Sequence, residues 1–188
     1  MDSLQKEINE IYKLVKVGGT ICYPTDTIWG IGCDATNTEA VEKIYKIKKR
    51  DASKSMLILV DSIDAIFRYI DEVPEVAVQL LEVSDEPTTL ILEGACRLAK
   101  NLIAHDGTIG IRVVNHPFLT PLLKKLNKPL VSTSANLSGQ PTAKSFDEIE
   151  EEILASVDYI VEYGRDQMPA TPSKIISLSK SGEIKIIR

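Results

Sequence analysis

The chain has 188 residues, 44% hydrophobic and 26% charged, with 22 Lys and Arg against 27 Asp and Glu and a formal net charge of −5. That size and balance point to one globular domain, residues 1–188, with a substantial core, and argue against a disordered chain, a fibrous one or two full domains. The acidity argues against a protein that coats nucleic acid through its overall field. No apolar run reaches the roughly 18–20 residues of a membrane span, so a cytoplasmic location with no membrane partner is expected.

In chain order, Leu4, Ile8, Ile11, Leu14 and Val15 recur at helical spacing and mark one buried face of an opening amphipathic helix, which Gly18 and Gly19 end. "TICYP" reads as a short strand closed by Pro24. The glycines and hydroxyls of the following "TDTIWGIGCDA" suit a loop beside a strand and a site wall. Thr36 and Glu39 form a capping-box signature for the next helix, in which Val41, Ile44, Tyr45 and Lys48 share the inward face while Lys46 and Lys49 fall off it. A lysine on that inward stripe must snorkel to water or point into a polar cleft.

Strand-like runs follow at "MLILV", "TTLIL", "TIGIRV", "PLVST", "DYIV" and "KIISL", with helical patterns near 62–70, 74–83, 117–126 and 146–156. The result is an α/β sheet fold without internal repeats. "GRDQMPATPS", residues 164–173, is rich in loop formers and reads as a mobile loop.

Cys22, Cys33 and Cys96 are odd in number and lack CxxC spacing, which indicates neither a disulfide framework nor zinc; small apolar packing is their expected role. His105 and His116 are the only histidines, with no acidic pair at ligand spacing, so no protein metal site is expected, and His116 before Pro117 reads as a helix-opening residue. Neither a GxSxG elbow nor a GxxxxGK[ST] loop is present.

Three polar clusters remain. "YKIKKRDASK", residues 45–54, concentrates cations; Arg112 closes a strand; and "VSTSANLSGQPT", residues 131–142, sets hydroxyls and Asn136 directly after another strand. Taken singly, each has a bland reading: a helix C-terminus whose cations complement the dipole, an exposed strand arginine, and a Ser/Thr-rich turn. Together in one domain they point to an anion site, because hydroxyls, an amide and backbone N–H groups are donors for phosphate or carboxylate oxygens.

"YPTDTIWGIGCDA", "KIKKRDASKSMLILV", "TIGIRVVNHPF" and "PLVSTSANLSGQPT" resemble, in order and spacing, the YrdC-like family of threonylcarbamoyl-AMP synthases (TsaC) in its single-domain form, from about residue 10 to the end. The resemblance implies a YrdC/RibB-like twisted open α/β sheet with flanking helices and a concave, electropositive face. It also implies that L-threonine, bicarbonate or CO₂, and ATP carrying Mg²⁺ give threonylcarbamoyl-AMP and pyrophosphate. That product then feeds tRNA threonylcarbamoyladenosine modification through a downstream threonylcarbamoyl transferase complex.

Carried over by position, the family's catalytic tetrad falls on Lys48, Arg50, Ser134 and Asn136, at the ATP phosphates and the adenylate, with Lys54 assisting. Thr108, Thr142 and Arg188 fall on further nucleotide contacts, and Thr27, Arg112, Ser132 and Ser173 on the amino-acid site. Neither Lys48 nor Arg50 is expected to be needed by the core. The sequence departs from the family at Asp51, where proline is usual, at "SDEP" before "TTLIL", where a Trp-Pro-Gly-Pro start is common, at "PSKII", where a Ser-Thr pair is usual, and at Leu59, where part of the family has histidine. Two other readings compete: a double-stranded RNA or tRNA binding module without catalysis, marked by steep salt dependence, and a carbamoyl-adenylate-forming domain of the kind found in HypF-type carbamoyltransferases, marked by dependence on carbamoyl phosphate.

Overall fold

The computed structural model of the protein describes residues 3–51, 56–166 and 171–188. Helix α1 (Ser3–Lys16) buries Ile8, Ile11 and Val15 along the expected stripe. It ends at Gly18, whose φ of +86° is left-handed, and at Gly19, where a Cβ would stand 2.4 Å from the Leu14 Cγ. The chain can therefore turn directly into the sheet there only without side chains. Strands β1 (Ile21–Tyr23) and β2 (Gly30–Gly32) pair antiparallel, with the 24–29 loop between them.

Helix α2 (Thr38–Lys48) is capped by Asn37 rather than by Thr36: the Asn37 Oδ1 accepts the N–H of Glu39 at 3.0 Å and of Ala40 at 3.1 Å. Buried Asp34 captures Thr36 instead, its Oδ1 accepting the Thr36 N–H at 2.8 Å and the hydroxyl at 2.7 Å. A threonine committed to a buried carboxylate is not available to cap, and the adjacent asparagine, the stronger cap, takes the position. At the far end Lys49 adopts φ +47°, the Arg50 N–H reaches back to the Tyr45 carbonyl at 3.0 Å and the Lys49 N–H to that of Lys46 at 3.1 Å. This is a Schellman closure, which reverses the chain within one residue.

Strands β3 (Leu57–Val60), β4 (Thr88–Leu92), β5 (Ile109–Val113), β6 (Leu130–Ser134), β7 (Tyr159–Ile160) and β8 (Lys174–Leu178) fall on the six expected runs. Strand β9 (Ile184–Ile186) was not expected; all three of its residues are exposed, so no burial periodicity announces it, and pairing with β8 alone holds it. Helix α3 (Ile63–Ile66) is shorter than the 62–70 pattern, while α4 (Glu75–Glu82) matches its own. Helix α5 (Leu119–Leu126) is opened by His116, whose Nδ1 accepts the N–H of both Phe118 and Leu119 at 3.3 Å. The 146–156 pattern is split into a 3-10 turn (Phe146–Glu148) and helix α6 (Glu151–Ser156), because Ile149 is extended and buried between them.

Among the described residues the strands form one mixed open sheet in the order β7-β1-β2-β6-β3-β5-β4-β8-β9. The α/β open sheet read from the sequence is thus present. Successive residues of a strand face opposite sides, and both sides are apolar. Ile21, Tyr23, Leu59 and Leu130 pack with α1 and α5, while Cys22, Ile58, Val60 and Val131 pack with α2, α3 and α6. Where β2 lies against β6, a Cβ on Gly32 would stand 1.8 Å from the Val131 carbonyl oxygen, a spacing open to glycine alone. Cys22 and Cys33 are buried and Cys96 is half-buried, all three as free thiols; burial pushes the Cys22 thiol up to about 12. No helix among the described residues is long and apolar enough to cross a membrane.

Candidate active site

Strands β2, β6, β3, β5 and β4 are neighbours in or next to the middle of the sheet, and side chains from their ends meet in a cavity of about 280 Å³. Ser132, Thr133 and Ser134 of β6 form one part of its wall; Arg112 comes from β5, Thr89 from β4, and Thr25, Thr27 and Trp29 from the loop between β1 and β2. Arg50, Thr142, Ser173 and Arg188 complete the polar lining. Three arginines and no acidic side chain line the cavity among the described residues, which makes it a concentrated positive site in a chain of net charge −5. A concave wall of one sign focuses the field and favours an anionic occupant.

Arg112 is 4% exposed, and burial lowers its pKa while Asp26 opposes that shift and Arg188 adds to it. Its Nη1 donates to the Thr27 hydroxyl at 3.1 Å, and its Nη2 lies 3.1 Å from the Asp26 Oδ1. Thr27 is itself held from the same loop, its N–H donating to the Thr25 hydroxyl at 3.0 Å while that hydroxyl donates to the Ile28 carbonyl at 2.8 Å. On the neighbouring wall the Thr89 and Ser173 hydroxyls are hydrogen-bonded at 2.9 Å, and Arg188 donates twice to the Ser173 carbonyl, at 3.2 and 3.1 Å.

Lys48 is 1% exposed and points under the β6 loop rather than into the cavity. Its ammonium donates to the carbonyl oxygen of Ser134 at 2.6 Å and to that of Asn136, and the Ser138 N–H closes back on the Lys48 carbonyl at 3.0 Å. Asn136 continues the clamp, its Nδ2 donating to the Leu137 carbonyl at 2.9 Å and the Gln140 carbonyl at 2.7 Å. The expectation that Lys48 is not needed by the core is therefore corrected: it is a buried strut that sets the path of residues 134–140. Burial, with the Arg50 charge, pulls its pKa down to about 8, against a smaller opposing effect of Glu150. Lys46 and Lys49, off the inward stripe, pair in solvent with Glu42 at 2.8 Å and Glu152 at 2.6 Å.

Of the residues singled out in the sequence, Arg50, Ser134, Thr142 and Arg188 share the cavity with Thr27, Arg112, Ser132 and Ser173. Lys48 and Asn136 stand directly behind it. Thr108 is not part of the wall; its N–H and hydroxyl both close on the Asp106 Oδ1, at 3.0 and 2.7 Å, in a turn leading into β5. Lys54 lies outside the described residues, as do residues 167–170 of the loop-rich 164–173 stretch. Thr25 and Trp29 also line the cavity, in the loop expected to form a site wall, as does Thr133 of the 131–142 hydroxyl cluster; Thr89 lines it from a strand in which no site residue was expected. For Thr89 a signal existed: with Ile91 it takes alternate positions of β4, the spacing that also puts Gly110 and Arg112 on one side of β5.

The chain matches the Sua5/YciO/YrdC family, described as telomere recombination, over residues 13–188. It is 34% identical over 159 residues to the threonylcarbamoyl-AMP synthase of Pseudoalteromonas translucida, an alignment covering 82% of this chain and 85% of that one. Among solved structures it resembles E. coli YciO, with a TM-score of 0.85 at 28% identity over 98% of this chain and 89% of that one. P. abyssi Sua5, solved in complex with L-threonine, shares the fold with a TM-score of 0.87 at 23% identity; all of this chain is covered, and it spans 55% of that longer protein. The family match over residues 13–188 and the 34% identity to a relative covered to 85% show that the chain belongs to the Sua5/YciO/YrdC family.

Proposed function

We propose that the protein is a threonylcarbamoyl-AMP synthase, a nucleotidyltransferase that makes threonylcarbamoyl-AMP and pyrophosphate from L-threonine, bicarbonate or CO₂, and ATP. The observation that carries this reading is the cavity itself, where Arg50, Arg112 and Arg188 converge with the β6 hydroxyls and no acidic side chain is present in the described wall. Homology to the threonylcarbamoyl-AMP synthases supports the choice of reaction. The threonine complex of P. abyssi Sua5 supports an amino acid as one occupant in that relative.

Arg112, Thr27, Ser132 and Ser173 hold the amino acid, with the Arg112 guanidinium on its carboxylate. Arg50, Ser134, Thr142 and Arg188 face the phosphates. Lys48 and Asn136 act one step back, by fixing the loop that carries Ser134. The amine nitrogen adds to the carbon of CO₂ and loses a proton, giving a carbamate. One carbamate oxygen then attacks the α-phosphorus of ATP, an O–P bond forms, the bond to the bridging oxygen breaks, and pyrophosphate leaves with both electrons of that bond.

No protein nucleophile is required, so rate comes from holding the reactants in line and from fixed cations where charge develops on phosphate. Mg²⁺ enters as part of the MgATP substrate: hydroxyls and phosphates suit its hard, oxygen-only preference, and the described wall has no acidic side chain to bind it independently. The product is a labile mixed anhydride for a downstream transferase acting on tRNA.

The test is pyrophosphate release from ATP, Mg²⁺ and bicarbonate, with and without L-threonine, together with mass detection of the adenylate. Release that needs both threonine and bicarbonate is expected. Release driven by carbamoyl phosphate without threonine would replace the proposal with a carbamoyl-adenylate reaction. Folded protein that releases nothing yet binds structured RNA at low salt would replace it with RNA binding.

A further inference from the structure

Asp26 lies between two cavity residues, Thr25 and Thr27, but stands behind the wall rather than in it. Its side chain is 18% exposed, and its Oδ1 sits 3.1 Å from the Arg112 Nη2, off the line of a hydrogen bond. Thr27 receives Nη1 from the adjacent position of the same loop. The loop therefore grips two nitrogens of one buried guanidinium from consecutive residues, while Nε finds no hydrogen-bond partner among the described residues.

The charges acting on Arg112 are unequal. Asp26 is the carboxylate among them; Arg188 is a like charge, and the phenol of Tyr23, buried and held by the Val131 carbonyl at 2.9 Å, stays protonated because burial raises its pKa. A guanidinium cannot escape the cost of burial by losing its proton, so it must either keep a counter-charge or move toward water. The water it would reach is the cavity. Removing the Asp26 charge would therefore send the Arg112 side chain into the space its ligand is to occupy.

We propose that Asp26 is a positioning residue: its carboxylate holds the Arg112 guanidinium against the wall in the orientation that receives an amino-acid carboxylate, without itself touching the substrate. The misaligned contact at Nη2 is part of the device. A fork-to-fork pair would occupy one whole edge of the guanidinium, whereas a single off-line oxygen supplies counter-charge and leaves more of its N–H donors for a second carboxylate. The inference rests on the amino-acid site proposed above.

The test separates the two. In ¹⁵N-labelled full-length protein the Arg112 Nε–H resonance, assigned by its loss in Arg112→Lys, is expected to exchange slowly with solvent. In Asp26→Asn, which keeps the volume and an acceptor but removes the charge, it is expected to exchange at least about tenfold faster. The KM for L-threonine should rise about tenfold, with kcat within about threefold and the KM for ATP unchanged. Asp26→Glu keeps the charge, displaced by one methylene, and should give intermediate values of both readouts, so a poorly folding asparagine variant does not remove the test. An unchanged Arg112 signal in Asp26→Asn overturns the proposal, as does a faster signal in either variant with an unchanged threonine KM. If wild-type protein uses no amino acid while the Arg112 signal still depends on Asp26, positioning stands and the threonine reading fails.

Discussion

Lys48→Met replaces the buried ammonium by an apolar chain of similar length and leaves the Ser134 and Asn136 carbonyls without their donor. One buried and one part-buried acceptor losing a partner cost up to about 1–3 kcal/mol each, partly offset because the ammonium no longer has to be buried, so a net loss of about 1–3 kcal/mol is expected at neutral pH. The pH dependence is the sharper signature. The Lys48 pKa falls from its ordinary 10.5 to about 8 in the folded chain, so between those values the unfolded chain binds more protons and stability rises with pH. The contribution is roughly 1.3 kcal/mol between about pH 7 and about pH 9. For a chain of this length it raises the melting midpoint by about 3–5 °C.

Thermal or urea melts of both proteins across that range give a difference curve in which every other titrating group, buried thiols and phenols included, cancels. The gap between wild type and variant should widen as pH rises. A gap that stays constant, with the variant showing the same rise, would mean that Lys48 does not titrate there and that burial of its ammonium has been misjudged.

Arg50→Ala should lower threonine-dependent pyrophosphate release by about 100-fold or more while moving the melting midpoint by less than about 2 °C, since the side chain is only half-buried and lines the cavity. Arg112→Gln should raise the KM for threonine far more than that for ATP; equal increases would reject the division of the cavity into two sites. Gly32→Ala sets a methyl 1.8 Å from the Val131 carbonyl and should cost more than about 3 kcal/mol, read as a large fall in melting midpoint or loss of soluble protein.

What the sequence disclosed follows from what is local. The face of α2 is set by helical periodicity, so the inward placement of Lys48 could be read from Val41, Ile44 and Tyr45. The destination of that lysine could not: its partners at Ser134 and Asn136 lie 86 and 88 residues away, and only the antiparallel run of β6 beside β2 and β3 brings them under it. Arg112 was visible as an odd charge in an apolar strand, but Asp26, far from it in sequence, reads as an ordinary loop carboxylate until the sheet closes. Thr36 against Asn37 shows the limit at a helix start, where two adjacent residues can cap, and the stronger cap, Asn37, takes the position while the buried Asp34 carboxylate holds Thr36. Strand β9 offers only Ile184-Lys185-Ile186, an alternation too short to stand out beside the longer apolar runs, and none of its residues is buried.

Trp29 is the only tryptophan of the chain, and it stands on the cavity wall with its ring 4.9 Å from that of Phe146. The molecule therefore carries one indole, excitable at its red edge apart from the six tyrosines and situated where the reactants are proposed to meet. Whatever displaces water from the cavity changes the polarity around that indole and moves its emission, with no second fluorophore of its kind to dilute the change. Binding of each reactant, its order and its rate are thus readable in unlabelled protein by stopped-flow, before any turnover has been detected.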